Sequence, residues 1–254
     1  MSFEPQARLD GKVAVITGGK GAIGICSARR LATLGARIVS IDRNPQGVQA
    51  LLDGLPQVAA GPHLSLHASI TDSAALMAAA AAVKAQMGRC DILINSAGFT
   101  QPVAPADLEG LTDALFDDVV QTNLRGVFSS IRAFTPLLKA SGDGLIVNVS
   151  SIAGITGSGS NLAYAAAKAG LDILTKSLAK ALAPQVRVLA VSPGVVDSTF
   201  VPGRGADFND KAAATIPLKR IGHVEDIASA IEACATTLRF ATGSRFVIDG
   251  GRSL

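Results

Sequence analysis

Lys12–Asp42 reads KVAVITGGKGAIGICSARRLATLGARIVSID, and this stretch decides the fold. Lys12–Thr17 is a continuous apolar run ending in glycines, the pattern of a strand buried on both faces. Thr17–Gly24 (TGGKGAIG) then opens a helix with apolar residues at Ile23, Leu31 and Leu34, and Gly35 ends it. Arg37–Asp42 (RIVSID) is a second strand closed by an acid. Strand, glycine turn, helix, strand and acid in that order hold a dinucleotide. Amides at the helix N-terminus take the pyrophosphate, and the carboxylate takes a ribose hydroxyl.

Gly19-x-Gly21-x-x-Gly24 meets the GxGxxG pattern, which is weak alone and strong when Asp42 follows at a strand end. Gly18, Gly19, Gly21, Ile23, Gly24, Asp42 and Arg43 form the expected cofactor set on this side. Asp42 favours NAD over NADP, because a carboxylate accepts from the 2′-hydroxyl and repels a 2′-phosphate. Arg43 and Lys20 pull the other way, since either can pair with a phosphate.

Outward from that stretch, strands and helices alternate. Further strands are expected at His63–Ala68, Asp91–Asn95, Leu145–Val149, Arg187–Ser192 and Arg245–Asp249, about seven in all. Asp72 or Ser73 caps an alanine-rich helix to Met87, and helices are expected near 111–122, 125–138, 162–182 and 224–238. The expected architecture is α/β: a single-domain, Rossmann-like, doubly wound parallel sheet with helices on both faces, spanning 1–254. Residues 195–215 lack periodicity and contain Pro202, Gly203 and Gly205, as a mobile substrate lid or a plain long loop would.

Composition excludes several classes. Net charge is +3 but the basic residues are scattered, so no nucleic-acid stripe forms. Cys26, Cys90 and Cys234 are far apart and read as small buried hydrophobes in a reducing compartment, with no metal site expected. The N-terminus has no apolar signal region, and the longest uncharged apolar run, Ala74–Val83, is about half the ~20 residues a span needs. A soluble, cytoplasmic protein is expected.

A second stretch, Ile146–Lys168 (IVNVSSIAGITGSGSNLAYAAAK), carries the chemistry. Tyr164 is the only tyrosine, Lys168 follows four positions later on one helix face, and Ser151 precedes it by thirteen at a strand's carboxyl end. A phenol titrates near ~10, and moving it to about 7 takes roughly 4 kcal/mol. A cation ~4 Å away at an effective dielectric of ~20 supplies about that much. Lys168 can thus turn Tyr164 into an acid or base for an alcohol, with Ser151 donating to the reacting oxygen. Tyr-x-x-x-Lys alone is common, and a surface pair is the bland reading.

The Ser151, Tyr164, Lys168 spacing resembles the active-site signature of the short-chain dehydrogenase/reductase family, and the resemblance runs from Lys12 to Gly251. That family's glycine pattern is Thr-Gly-x-x-x-Gly-x-Gly, which places Gly18, Ala22 and Gly24 here, with Ala at the middle glycine. The resemblance implies a catalytic set of Asn123, Ser151, Tyr164 and Lys168. Asn123, forty-one residues before Tyr164, would kink a helix and support a proton relay. It also implies cofactor contacts at Ser69, Ile70, Asn95, Ala97, Gly98, Pro193, Gly194, Val196 and Ser198, besides Tyr164 and Lys168. Substrate contacts would fall on Thr100, Ser151, Ile152, Thr156, Phe200 and Phe208. Arg204 could pair with a substrate carboxylate, although a solvated arginine is the plainer reading. The implied activity is hydride transfer between NAD and a small secondary alcohol or ketone, in a homotetramer. The runner-up is 3-oxoacyl-[acyl-carrier-protein] reduction with NADPH, whose basic docking residues are missing at Ser141-Gly142-Asp143 and Pro184-Gln185. A non-catalytic NAD sensor is the distant alternative.

Overall fold

The computed structural model describes residues 8–44, 46–205 and 207–254. Its strands are β1 (Val13–Thr17), β2 (Arg37–Asp42), β3 (Leu64–His67), β4 (Ile92–Asn95), β5 (Gly144–Val149), β6 (Val186–Pro193) and β7 (Arg245–Ile248). All pair in parallel in one sheet, in the order β3-β2-β1-β4-β5-β6-β7. The helices are α1 (Ala22–Thr33), α2 (Val48–Asp53), α3 (Ser73–Met87), α4 (Asp113–Val120), α5 (Val127–Ala140), α6 (Ala153–Thr156), α7 (Leu162–Leu182), α8 (Phe208–Thr215) and α9 (Val224–Thr236).

Strand side chains alternate between faces, and both faces are apolar. Ala14, Ile16, Ile38, Ile94, Val147 and Leu189 pack with Leu31 of α1, Leu52 of α2 and Ile231 of α9. Val13, Val15, Val39, Leu93, Ile146 and Val188 face the other way, onto Leu76 of α3, Phe134 of α5 and Leu171 of α7. Each such buried side chain contributes about 1.5–3 kcal/mol, so the two layers hold the helices in place. This is the single-domain, doubly wound fold that the sequence implies. Strand order reverses between β1 and β4, and a crevice opens beyond their carboxyl ends.

Two details differ from the sequence reading, and a third decides between its alternatives. The helices expected on either side of Asn123 are continuous, joined through a π-helical turn at Gln121–Gly126 that buries Asn123. α8 forms inside the stretch that shows no periodicity, because Ala212 is its only buried residue and leaves no repeat to read. At α3 the cap is Asp72, whose Oδ1 accepts from the amides of Ala74 at 2.9 Å and Ala75 at 3.0 Å. The three cysteines are free and buried. Among the described residues no helix is long and apolar enough to cross a membrane.

Candidate active site

The glycine turn brings backbone against backbone where side chains would collide. Gly18 has φ +67°, and a Cβ there would stand 2.7 Å from Ala97 at the end of β4. A Cβ on Gly19 would run into the Ser40 side chain, and one on Gly24 into the Gly18 carbonyl oxygen. Gly21 is looser, its nearest neighbour at 3.1 Å, and Ala22 is exposed, so the alanine at that step costs nothing sterically. α1 starts at Gly21 without a side-chain cap, leaving its first amides open to a ligand.

The crevice beyond these glycines encloses about 360 Å³ and is lined by Gly18, Gly21, Asp42, Arg43, Ser69, Ile70, Ala97, Gly98 and Phe200 among others. Asp42 caps β2 and accepts from the amides of Asn44 at 3.0 Å and Lys20 at 3.3 Å. Lys20 turns its ammonium away to the Gln46 carbonyl at 3.0 Å, while Arg43 is exposed on the rim. Crowded glycines, open helix amides and a strand-end carboxylate fit a dinucleotide. Other expected cofactor residues lie off this lining. Asn95 is buried and donates to Asn148 Oδ1 at 2.9 Å, Ile23 packs against the core, Pro193 ends β6, and Gly194, Val196 and Ser198 follow it, all outside the lining of the crevice.

The start of α7 sets the reacting groups. Asn161 Oδ1 accepts the Tyr164 amide at 2.7 Å, and its Nδ2 donates to the Gln101 carbonyl at 2.8 Å and to Thr100 Oγ1 at 3.4 Å. Thr100 is buried, its hydroxyl shared between Asn161 and Ser160, so it faces the tether rather than the crevice. Lys168, one turn after Tyr164, stands 5.5 Å from the phenol ring centroid and donates to the Val149 carbonyl at 2.8 Å. Ser151 leaves β5 half-buried, and its Oγ accepts the Ala153 amide at 3.1 Å. Asn123 donates to the carbonyls of Phe99 at 2.6 Å and Val119 at 2.9 Å, fixing the loop after β4. Ile152 is buried, Thr156 is exposed and donates back to the Ile152 carbonyl, and the Phe200 ring lies 6.1 Å from that of Tyr164.

The electrostatics of the site run opposite to the sequence argument. Burial pushes the Tyr164 phenol up to about 12, against the Ser151 hydroxyl and the Arg204 charge, which pull it down. Burial pushes Lys168 down to about 8, opposed by the Asp172 carboxylate. The expected lowering of the phenol by Lys168 is therefore outweighed here, since the ammonium's hydrogen bond goes to Val149 and both charged forms lose water. Sequence reasoning also missed the tether through Asn161, whose only visible sign was a helix-starting residue. It took Arg204 for solvated, whereas the structure half-buries it over the Phe208 ring.

Residues 12–207 match the family model for short chain dehydrogenase. The chain belongs to that family. This short-chain dehydrogenase is 36% identical to D-threitol dehydrogenase of Mycolicibacterium smegmatis, over 100% of this chain and 97% of the relative. It is 36% identical to cis-4-hydroxycyclohexanecarboxylate dehydrogenase of Sinomonas cyclohexanicum, covering 94% and 96%. Identity to the 3-oxoacyl-[acyl-carrier-protein] reductase of Escherichia coli is 32%, covering 95% and 97%. Among solved structures, levodione reductase superposes with a TM-score of 0.90 at 30% identity, covering 97% and 99%. The dehydrogenase is thus an oxidoreductase of alcohol and carbonyl carbons, in a family that uses nicotinamide dinucleotides.

Proposed function

We propose that this dehydrogenase exchanges a hydride between NAD(H) and a small secondary alcohol or ketone, with Asn123, Ser151, Tyr164 and Lys168 as its catalytic set. The observation that carries the reading is the buried Tyr164, followed one turn later by Lys168, with its ring 6.1 Å from that of Phe200, which lines the glycine-bearing crevice. A nicotinamide bound there supplies or accepts the hydride at its C4. Tyr164 exchanges a proton with the substrate oxygen, and Ser151 donates a hydrogen bond to that oxygen. Lys168 favours the phenolate and reaches toward a ribose, while Asn123 holds the loop behind them. Gly18, Gly19 and Gly24 admit the pyrophosphate, Asp42 accepts from the ribose, and Ser69, Ile70, Ala97 and Gly98 border the adenosine side. Residues 195–215 close over the substrate.

NAD is supported by Asp42 on the crevice wall, where its carboxylate opposes a 2′-phosphate. Arg43 on the same rim keeps the NADPH-dependent acyl-carrier reductase as the second reading. Against it, the surface where a carrier protein would dock offers Asp143, already engaged by Arg239. A homotetramer is supported by the apolar groove of Leu124, Phe128 and Ile173 beside Gly170. Cytoplasmic residence is supported by the free cysteines.

The test is Tyr164→Phe. Turnover with NAD and secondary alcohols falls by about 10²- to 10⁴-fold, the usual share of acid–base catalysis, while NADH still quenches and binds as in the parent. Unchanged turnover removes the proposed acid–base group. Fluorescence titration with NADH and NADPH decides the cofactor, and acetoacetyl thioesters with NADPH test the second reading.

A further inference from the structure

The segment leaving β6 brings the Phe200 ring to 6.1 Å from that of Tyr164 and carries a cation four residues on. Arg204 is half-buried, its Nη1 donates to the Val196 carbonyl at 3.0 Å, and its guanidinium carbon lies 4.6 Å over the Phe208 ring. Its Nε is shut off from solvent and has no hydrogen-bond partner among the described residues. Nη1 is thus spent on the backbone, while the Nε–Nη2 edge, the side-on fork that matches a carboxylate, has no acceptor among the described residues. No carboxylate among the described residues lies within ion-pair distance. Asp197, the acid whose charge acts on it, already accepts from Asn209 at 3.3 Å.

Leaving a buried donor of a charged group unmet is costly, because the group has given up water for nothing. The cost is borne on the segment that sets Phe200 against Tyr164, and the charges of Arg204 and the phenol act on each other. Phe200, 6.1 Å from Tyr164, supplies an apolar wall on the same segment.

We propose that the unpartnered Nε–Nη2 edge of Arg204 anchors a carboxylate on the substrate, so that the preferred substrates are hydroxy acids and the matching oxo acids. The proposal rests on the alcohol–ketone reading of the same crevice. Arg204 binds the acid group, and Tyr164 meets the oxygen that changes oxidation state. The competing role, that Arg204 serves only to adjust Tyr164, would act on neutral and anionic substrates alike.

The experiment compares 3-hydroxybutyrate and 4-hydroxypentanoate with their methyl esters and with 2-butanol, for the parent, Arg204→Lys and Arg204→Leu, each checked by thermal melt. The parent prefers the acids. Arg204→Leu raises KM for the acids about 10- to 100-fold and leaves KM for the neutral alcohols unchanged, and Arg204→Lys recovers part of the KM loss. Any fall in kcat from the lost charge near Tyr164 is shared by both substrate classes. A second arm needs no turnover: acetoacetate, and not 2-butanone, perturbs nicotinamide fluorescence of the parent–NADH complex, and Arg204→Leu abolishes the effect. Equal handling of acids and esters by the parent, an unchanged KM for the acids in Arg204→Leu, or no acetoacetate effect on the complex each overturns the anchor. The parent reading fails separately, when Tyr164→Phe keeps its turnover. An inactive Tyr164→Phe beside an indifferent Arg204→Leu removes the anchor alone.

Discussion

Asn161 accepts the backbone N–H of Tyr164 at 2.7 Å and, with the other end of the same amide, holds the Gln101 carbonyl at 2.8 Å. One buried side chain therefore starts α7 and ties the phenol's helix to the loop that runs on from β4. The position of Tyr164 depends on this bridge as much as on the helix itself.

Asn161→Ala removes the cap and leaves Gln101 without its donor. A lost cap costs about 0.5–2 kcal/mol and a stranded buried carbonyl about 1–3 kcal/mol. Urea denaturation is expected to show the sum of the two, and kcat falls while NADH affinity holds. Asn161→Asp keeps the acceptor but not the donor, so it recovers the cap part only. Full recovery of kcat in the aspartate variant would show that the Gln101 tether is irrelevant.

Lys168 is expected to weaken the fold that it serves. Its folded-state value of about 8 lies below the ordinary 10.5, so between those values the unfolded chain holds more protons and stability rises with pH. The penalty is fully present below about 8. Lys168→Met removes it at the cost of the bond to Val149, for a net gain of about 2 kcal/mol at pH 7 that shrinks toward zero near pH 10. The raised Tyr164 phenol works in the opposite sense between 10 and 12, but it is common to both proteins and cancels in the comparison. Turnover is lost. A variant less stable than its parent at pH 7 contradicts the assignment.

Much of this was legible before any coordinates. Apolar strands, a crowded glycine turn and Asp42 specify the sheet because both of its faces must be dry, and that requirement is written residue by residue. The Ser151, Tyr164, Lys168 spacing is equally local. What could not be read involves partners distant in sequence or the balance between burial and charge. Asn161 reaches Gln101 across sixty residues, and no period or motif records such a bond. The phenol's shift turns on how much water the folded crevice excludes, which the spacing of Lys168 does not encode. Arg204 looked solvated because its burial depends on Phe208 folding beneath it in a helix with one buried residue.

His63 closes the gap where β3 has not yet begun. It is buried, its Nδ1 accepts the Ile38 amide at 3.0 Å, and its Nε2 lies 3.1 Å from the Pro56 carbonyl. The amide can only donate, so the ring carries its proton on Nε2 and donates to Pro56. His63→Leu strands a strand amide and a loop carbonyl, with an expected loss of about 1–3 kcal/mol per unmet group. Thermal melting should fall by several degrees, while kcat/KM at 25 °C stays at the parent value. An unshifted melt would mean that water replaces both bonds without cost.

The two glycine registers make different demands, and the backbone separates them. If Gly19-x-Gly21-x-x-Gly24 were the working pattern, Gly21 would be as intolerant as Gly24. Yet Gly21 has φ −64°, an ordinary value for any residue, and its added Cβ would meet nothing closer than 3.1 Å. Gly24 packs directly on the Gly18 carbonyl, and Gly18 combines a left-handed φ with a 2.7 Å approach to Ala97. Gly21→Ala should therefore fold and bind NADH within about tenfold of the parent, a change of under 1.4 kcal/mol. Gly18→Ala and Gly24→Ala should lose about 1–3 kcal/mol of stability through overpacking, and their NADH titrations should not saturate in the parent's range. Equal damage at Gly21 and Gly24 would restore the first register, and would mean that the ligand presses on the turn at Gly21 more closely than its own backbone does.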